Sequence, residues 1–371
     1  MMTFLNLFCN ILILNNMEIF KVLYEKYMND KQSYLNWDKI EQIDNNGFSD
    51  YNDLPEINEN EINNISKQIS VIKLNGGLGT TMGCTGPKSL MKIKNEYTFM
   101  DILLKQNSFY NIPFILMNSF YTDQTTKDYL KNISKEQLTN IYTFNQNCYP
   151  RIIKDTGEYF DIKTDNIDHL YPPGHGDLLQ SFGNSNIIDK LISKGIKYVF
   201  ISNSDNLGAT LDFKILNDLI QSDTDFAIEL TPKTLNDVKG GTLIKYENKY
   251  RMFEVAQCPP DKLSEFTSID KFKYFNTNNI WIKLDSIKTL LKTYYIEDID
   301  IIINNKKLKD GRECIQLEYA IGSMVKFFNN VKCYIVERNR FIPVKNNDDL
   351  DLVRSNAYSL NKKYWTLEKS N

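Results

Sequence analysis

The chain is expected to fold as an α/β protein around a mixed, mostly parallel central sheet flanked by helices. Three observations predict this. From Ile69 onward, short apolar runs alternate with polar stretches of helical periodicity, the pattern of strands joined by helical crossovers. The first run (Ile69, Val71, Ile72, Leu74) stops at a glycine-rich loop, as strands do at the carboxyl edge of a nucleotide-binding sheet. Between residues 226 and 284 the runs are closely spaced, which adds an antiparallel part.

Taken in order, residues 18–66 are polar, with weak helical periodicity around Ile19, Val22, Leu23 and Tyr27. The asparagine-rich, acidic stretch Asp44–Asn64 reads as loop. Strands are predicted at Ile69–Leu74, Phe114–Met117, Ile141–Phe144, Tyr198–Ser202, Phe226–Leu230, Thr242–Tyr246, Arg251–Ala256 and Ile280–Leu284. Helices are predicted at Tyr97–Asn107, Thr122–Leu130, Leu178–Phe182, Ile187–Lys194, Cys314–Phe328 and Asp348–Leu360. This divides the chain into an N-terminal helical and irregular segment, 1–66, and one catalytic domain, 67–371.

Composition narrows the function classes. A chain of 371 residues holds one large domain or two smaller ones. The net charge of −3 offers no basic face of the kind that nucleic acid requires. The six cysteines are scattered without a C-x-x-C pair, which fits free buried thiols in a reducing cytoplasm rather than disulfides or zinc. The apolar stretch Phe4–Leu14 has no preceding Lys or Arg and no small-residue cleavage site, and Asn6 and Asn10 interrupt it. It is too short to span a bilayer as a helix. It reads as sequence upstream of a working start at Met17, or as an amphipathic helix packed on the domain. No membrane partner is expected.

The glycine loop carries the first chemical signal. Gly76, Gly77, Gly79, Gly83 and Gly86 lead into Pro87-Lys88-Ser89. Glycine lets backbone lie against a ligand and turn N–H groups onto phosphate oxygens, and a lysine at the loop end adds a mobile cation. The Walker pattern fails because Pro87 separates Gly86 from Lys88. The dinucleotide pattern fails by one place: Gly77 and Gly79 fit, Met82 stands at the third position, and Gly83 follows. Asp101 lies about 20 residues on, where a ribose-binding acid belongs. From the loop alone, a dehydrogenase and a tight turn without ligand both stay open.

The full string LNGGLGTTMGCTGPKS, Leu74–Ser89, closely resembles the glycine loop of the eukaryotic-type UTP–glucose-1-phosphate uridylyltransferases (UDP-glucose pyrophosphorylases). The resemblance continues through LMNSF (Leu116–Phe120), TFNQ (Thr143–Gln146), YPPGHGD (Tyr171–Asp177) and SNSDNLGA (Ser202–Ala209). It then runs through DVKGGTL (Asp237–Leu243), FNTNN (Phe275–Asn279) and RFIPVK (Arg340–Lys345). It covers about residues 66 to 360, in the family's order. It implies a Rossmann-like nucleotide-sugar transferase fold. A C-terminal left-handed β-helix domain usually follows in that family. Here the chain stops at Asn371, so a monomer, or a dimer made some other way, is expected.

The resemblance also implies the reaction: glucose 1-phosphate attacks the α-phosphorus of UTP in line, giving UDP-glucose and pyrophosphate. The attacking phosphate is largely ionised at pH 7, so no general base is needed. A dianion must approach a polyanion, and positioning and cationic clamps should dominate. Lys88 and Lys345 match the lysines at the UTP phosphates and are the expected catalytic pair. Asp205, after an apolar strand, is the expected Mg²⁺ ligand and lies near the nucleotide. Gln146 and the backbone of Leu74, Asn75, Gly76 and Gly77 are the expected uracil readers, since a glutamine amide can both donate and accept. Met117 packs on the base and Gly174 lets backbone approach it. His175 would donate to a phosphate oxygen. Asn203 and Ser204, with Asp205, Gly76 and Gly77, border the sugar phosphate. Asn276, Asn278 and Glu254 are the candidates for the glucose hydroxyls.

Two other readings accompany this one. The same chemistry could act on another sugar 1-phosphate. Against an N-acetylglucosamine enzyme stands the absence of the G-T-R arginine, replaced by Thr81-Met82. A non-catalytic UDP-sugar-binding protein would be expected to have lost Lys88, Asp205 or Lys345, and all three are present. The downstream motifs set the dehydrogenase aside.

Overall fold

The computed structural model describes residues 17–360, apart from 45–46, 80–81, 85, 95, 135–137, 164–165 and 236. The Phe4–Leu14 stretch lies outside the described residues, as do Cys9, the end of the chain beyond 360 and Thr80-Thr81 in the glycine loop. The strands that matter here are β1 (Ser49–Asp50), β2 (Ile69–Leu74), β3 (Phe114–Asn118), β4 (Ile141–Asn145), β5 (Tyr198–Asn203) and β6 (Phe226–Pro232). They continue with β7 (Thr242–Tyr246), β8 (Lys249–Phe253), β9 (Tyr274–Lys283), β10 (Ile302–Lys307), β11 (Glu313–Glu318) and β12 (Val331–Ile335).

Eight of these form one sheet in the order β1-β12-β6-β9-β5-β2-β3-β4. Every neighbouring pair is parallel except those made by β9, which runs antiparallel to both β6 and β5. The sheet is therefore mixed and mostly parallel, with helices on both faces. Strand residues sort by the period-two rule. Ile72, Ile115, Val199 and Ile201 belong to one core, with Phe182, Leu191 and Ile287 from helices. Val71, Phe114, Leu116 and Phe200 belong to the other, with Leu103, Leu216 and Leu219. β3 is buried at all five positions, which explains its unbroken apolar reading.

Local signals set the helix starts. Thr98 and Asp101 form a reciprocal capping box on the helix Phe99–Ser108, and Asn58 with Glu61 does the same for Glu59–Ile65. That second helix corrects the reading of Asp44–Asn64 as loop: a capped helix outweighs weak composition there. Residues 17–29 are helical, with Phe20 and Leu23 in the core.

The largest correction concerns Cys314–Phe328, predicted as a helix. It is strand β11 followed by a 3₁₀ segment, Ile321–Phe327. Ile315 and Leu317 alternate with Gln316 and Glu318, and β11 pairs with β10 along six positions. The apolar run after Glu318 hid that short alternation. β10 and β12 went unread. The strand predicted at Arg251–Ala256 ends at Phe253, where a 3₁₀ turn begins. The strand predicted at Ile280–Leu284 is the end of ten-residue β9, so FNTNN sits inside a strand rather than a loop. In β9 the register shifts: Glu229 faces Asn279, but Leu230 faces Asn276. Thr277 and Asn278 thus form a two-residue bulge, and Asn278 adopts φ 58°.

Candidate active site

The carboxyl ends of the parallel strands β2, β3 and β5 border a cavity of about 330 Å³, where ligands of open α/β sheets bind. The glycine loop brings Leu74, Gly76, Gly77 and Lys88 to its wall. β3 supplies Met117, the turn after β4 supplies Gln146, and the end of β5 supplies Asn203, Ser204 and Asp205. Gly174 and His175 come from the YPPGHGD loop.

Close packing explains two of the glycines. A Cβ on Gly76 would lie 2.0 Å from the Gln146 Nε2, and one on Gly174 would lie 2.8 Å from the Tyr319 carbonyl oxygen. Gly174 also has φ 93°, which disfavours any other residue.

Lys88 and Asp205 pair across the cavity. Lys88 Nζ donates to Asp205 Oδ2 at 2.6 Å, both side chains being 17% exposed, and it also reaches the Val344 carbonyl. His175 Nδ1 accepts from the Ile321 N–H at 3.1 Å, which leaves Nε2 to carry the proton. Burial pushes the imidazole down to about 4, so it is a neutral donor at pH 7. Two residues on, Asp177 accepts from the Asn147 N–H and amide at 2.6 and 2.7 Å, from Tyr319 at 2.7 Å and from Ser181. Burial still pushes its carboxyl up to about 6. Beneath the site, buried Lys73 donates to Ser202 Oγ at 2.7 Å and to the Ala209 carbonyl at 2.9 Å, joining β2 to the chain after β5. Burial pushes it down to about 7.

One buried polar atom on the wall lacks a partner. Gln146 Oε1 makes no hydrogen bond among the described residues. Buried acceptors are rarely left so, and the residue that carries this one lines the cavity.

Five expected residues lie off the wall. Asn75 is 2% exposed. Its N–H is taken by the Met117 carbonyl at 2.8 Å and its side chain by Asn118, Thr126 and Ser89, so it braces the loop from behind. Asn278 touches the site through another residue, its amide donating to Asn203 Oδ1 at 2.8 Å. Asn276 in turn accepts from the Asn278 N–H at 2.7 Å. Glu254 packs against Gly241, and burial raises its carboxyl above the usual range. Lys345 is exposed, its N–H bonded to Asp349 at 2.7 Å. The preceding Arg340 is anchored bidentately to buried Glu229 at 2.6 and 2.7 Å.

Two wall residues were missed, Pro172 and Glu318. Pro172 stands inside the YPPGHGD motif. Glu318 ends β11, and only the short alternation before it could have shown it. A metal fits the donor set in one way. No group of three or more His, Cys, Asp or Glu that could hold an ion occurs among the described residues. A single carboxylate, Asp205, suits Mg²⁺, which takes the rest of its shell from water and substrate phosphates. No described helix is long and apolar enough to cross a membrane.

The sequence model of UTP–glucose-1-phosphate uridylyltransferase matches residues 17–371. The chain belongs to that family. It is 44% identical over 355 residues to UTP–glucose-1-phosphate uridylyltransferase 2 of Dictyostelium discoideum, covering 94% of this chain and 70% of that protein. It is 44% identical over 349 residues to the Solanum tuberosum uridylyltransferase, covering 91% and 72%. Among solved structures it is similar to a UDP-glucose phosphorylase from Trypanosoma brucei, with TM-score 0.81, 32% identity and coverage of 92% and 75%. A mutant UDP-glucose pyrophosphorylase from Leishmania major in complex with UDP-glucose matches with TM-score 0.80, 28% identity and coverage of 92% and 77%. Family membership and the observed sheet agree with the fold and recognition read from the motifs.

Proposed function

We propose that the chain transfers the uridylyl group of UTP to glucose 1-phosphate, giving UDP-glucose and pyrophosphate. The observation that carries this reading is the unpartnered Gln146 Oε1 on the wall of a cavity that also presents Lys88, Asp205 and His175. A buried acceptor of this kind matches the N–H on the uracil edge, while the glycine-loop backbone takes the carbonyls. The relatives' names supply the substrates.

The chemistry asked of the protein is electrostatic. The sugar phosphate brings its own nucleophile, an ionised oxygen, so the site needs no base, and the one lone-pair nitrogen of His175 is already taken by the Ile321 N–H. Its Nε2–H donates to a phosphate oxygen instead. Lys88 exchanges its bond to Asp205 for the α- and β-phosphate oxygens, and the charge developing toward pyrophosphate is met by that cation and by Lys345 once its side chain turns inward. Asp205, freed of Lys88, is the residue that would hold Mg²⁺. When bound, the ion neutralises phosphate charge and helps align the triphosphate. Leu74 and Met117 exclude water around the base.

Pyrophosphate release should be assayed with glucose 1-phosphate, Mg²⁺ and each of UTP, ATP, GTP, CTP and dTTP. Strong release with UTP alone supports the proposal. Release with UTP but a preference for another sugar 1-phosphate would move the sugar specificity. UDP-glucose binding without any turnover would replace the enzyme by a binding protein.

A further inference from the structure

Glu318 lines the cavity with no expected role in the reaction. Its chain is held rigidly against the opposite loop. The Tyr319 N–H donates to the Pro173 carbonyl at 3.0 Å, and the Gly176 N–H to the Tyr319 carbonyl at 2.8 Å. The Ile321 N–H donates to His175. The side chain is fixed as well. Asn304 Nδ2 donates to Oε1 at 2.9 Å. In the amide orientation that satisfies both its ends, Gln316 donates to the same oxygen at 2.8 Å. Oε2 takes no hydrogen bond among the described residues, and Lys306 and Arg151 act on the group through space without a salt bridge to it. Burial raises its carboxyl above the usual range.

A carboxylate on the wall of a site for polyanions cannot contact the phosphates directly, because like charges at short range repel; only through a cation, the part given above to Asp205, could it serve them. What it can serve is a neutral donor. An ionised carboxylate with one free oxygen accepts hydroxyls more strongly than a neutral acceptor does, and the desolvation it carries in the empty site is offset when those hydroxyls arrive. The charged pair Lys88–Asp205 and the neutral donor His175 already account for the wall's other polar side chains facing phosphate.

We propose that Glu318 is a further substrate-binding residue, its free carboxylate oxygen accepting hydrogen bonds from the hydroxyls of a sugar ring in the cavity. This rests on the function proposed above, whose substrates carry two such rings, a hexose and a ribose.

The test is calorimetric binding of UDP-glucose and of UTP to wild type, Glu318→Gln and Glu318→Ala. Glutamine keeps the size and removes the charge. UDP-glucose binding should weaken about 10- to 100-fold in both variants, the range for losing a charge-assisted hydrogen bond. UTP affinity unchanged alongside that loss assigns the contact to the hexose, and an equal loss for UTP assigns it to the ribose. A dissociation constant for UDP-glucose within about twofold of wild type in both folded variants would overturn the proposal. If the variants do not fold, wild type is titrated with dUTP and with UDP-glucose analogues lacking single hexose hydroxyls. A loss of similar size for one of them supports the proposal, and none for any overturns it. Wild type that binds neither UDP-glucose nor UTP would refute the proposed function itself, separately from Glu318.

Discussion

On one side of the cavity, Asn203 ends β5, and Lys88 and Asp205 come from loops that leave the carboxyl ends of β2 and β5. On the other, His175 and Glu318 are held by backbone pairing between the YPPGHGD loop and the exit of β11. The first wall is charged, and in the free protein its charges satisfy each other. The second has a neutral imidazole, a buried Asp177 and an unpaired carboxylate. A wall of paired charges can rearrange when phosphate enters, since each partner finds a new one. A wall held by main-chain hydrogen bonds presents the same groups before and after. Exchangeable ion pairing and fixed main-chain bonding are thus divided between the two sides of one small cavity.

The difference can be broken at its charged side first. Lys88→Ala should lower turnover about 10²-fold or more, the usual size for removing one preorganised charge-stabilising donor. Lys345→Ala should cost about as much in turnover, yet leave the melting temperature unchanged because the side chain is exposed. Steady-state kinetics alongside thermal melts separates these, and wild-type turnover in either variant removes that lysine from the mechanism. Gln146→Leu should lower the preference for UTP over CTP about 10- to 100-fold, as loss of a specific hydrogen-bonding group does. A competition assay with both nucleotides would expose an unchanged ratio.

The rigid side should answer through stability. Gly174→Ala places a methyl 2.8 Å from the Tyr319 carbonyl at φ 93° and should destabilise by about 1–3 kcal/mol, read from urea midpoints. An unchanged midpoint would mean that this wall yields. The smallest net effect in wild type is in the pH dependence, because two slopes oppose each other. His175 is pushed down to about 4 from its ordinary 6.5, so its contribution is complete above pH 6.5 and is lost as pH falls toward 4. Asp177 is pushed up to about 6 from 3.8, so its contribution is complete below 3.8 and is lost as pH rises toward 6. The two slopes oppose each other between pH 4 and 6. Relative to wild type, His175→Gln should lose stability with rising pH across that window, and Asp177→Asn should gain it. Parallel curves for all three proteins would contradict both assignments.

Why one wall could be read in the sequence and the other could not follows from the same contrast. The glycine loop and SNSDN place their side chains through local chain geometry, so a contiguous string carries the information. Glu318 reaches the cavity because β11 pairs with β10, and that pairing is non-local. The alternation that announces β11 is only Ile315 and Leu317 between polar neighbours, and the apolar residues from Tyr319 onward mimic a helix. The parallel core was legible because β2, β3 and β5 are buried on both faces and read as plain apolar runs. Asn75 was placed among ligand-contacting backbone because the motif surrounds it, whereas the register of β2 on β3 turns it inward. Nothing in FNTNN announces that it bulges out of a ten-residue strand.

The bulge at Thr277 and Asn278 inserts two residues, not one. Side chains on a strand alternate with period two, so an even insertion leaves every flanking residue on its original face, while an odd one would turn the rest of β9 inside out. Excising the pair would therefore keep every flanking side chain on its face, and would remove the amide that reaches Asn203 together with the buried Thr277 hydroxyl that donates to the Glu229 carbonyl at 2.7 Å. In descent, such a segment can be gained or dropped in one event without passing through an unfoldable intermediate. The contact behind Asn203 thus hangs on a pair of residues whose removal leaves the facing of the neighbouring strand unchanged.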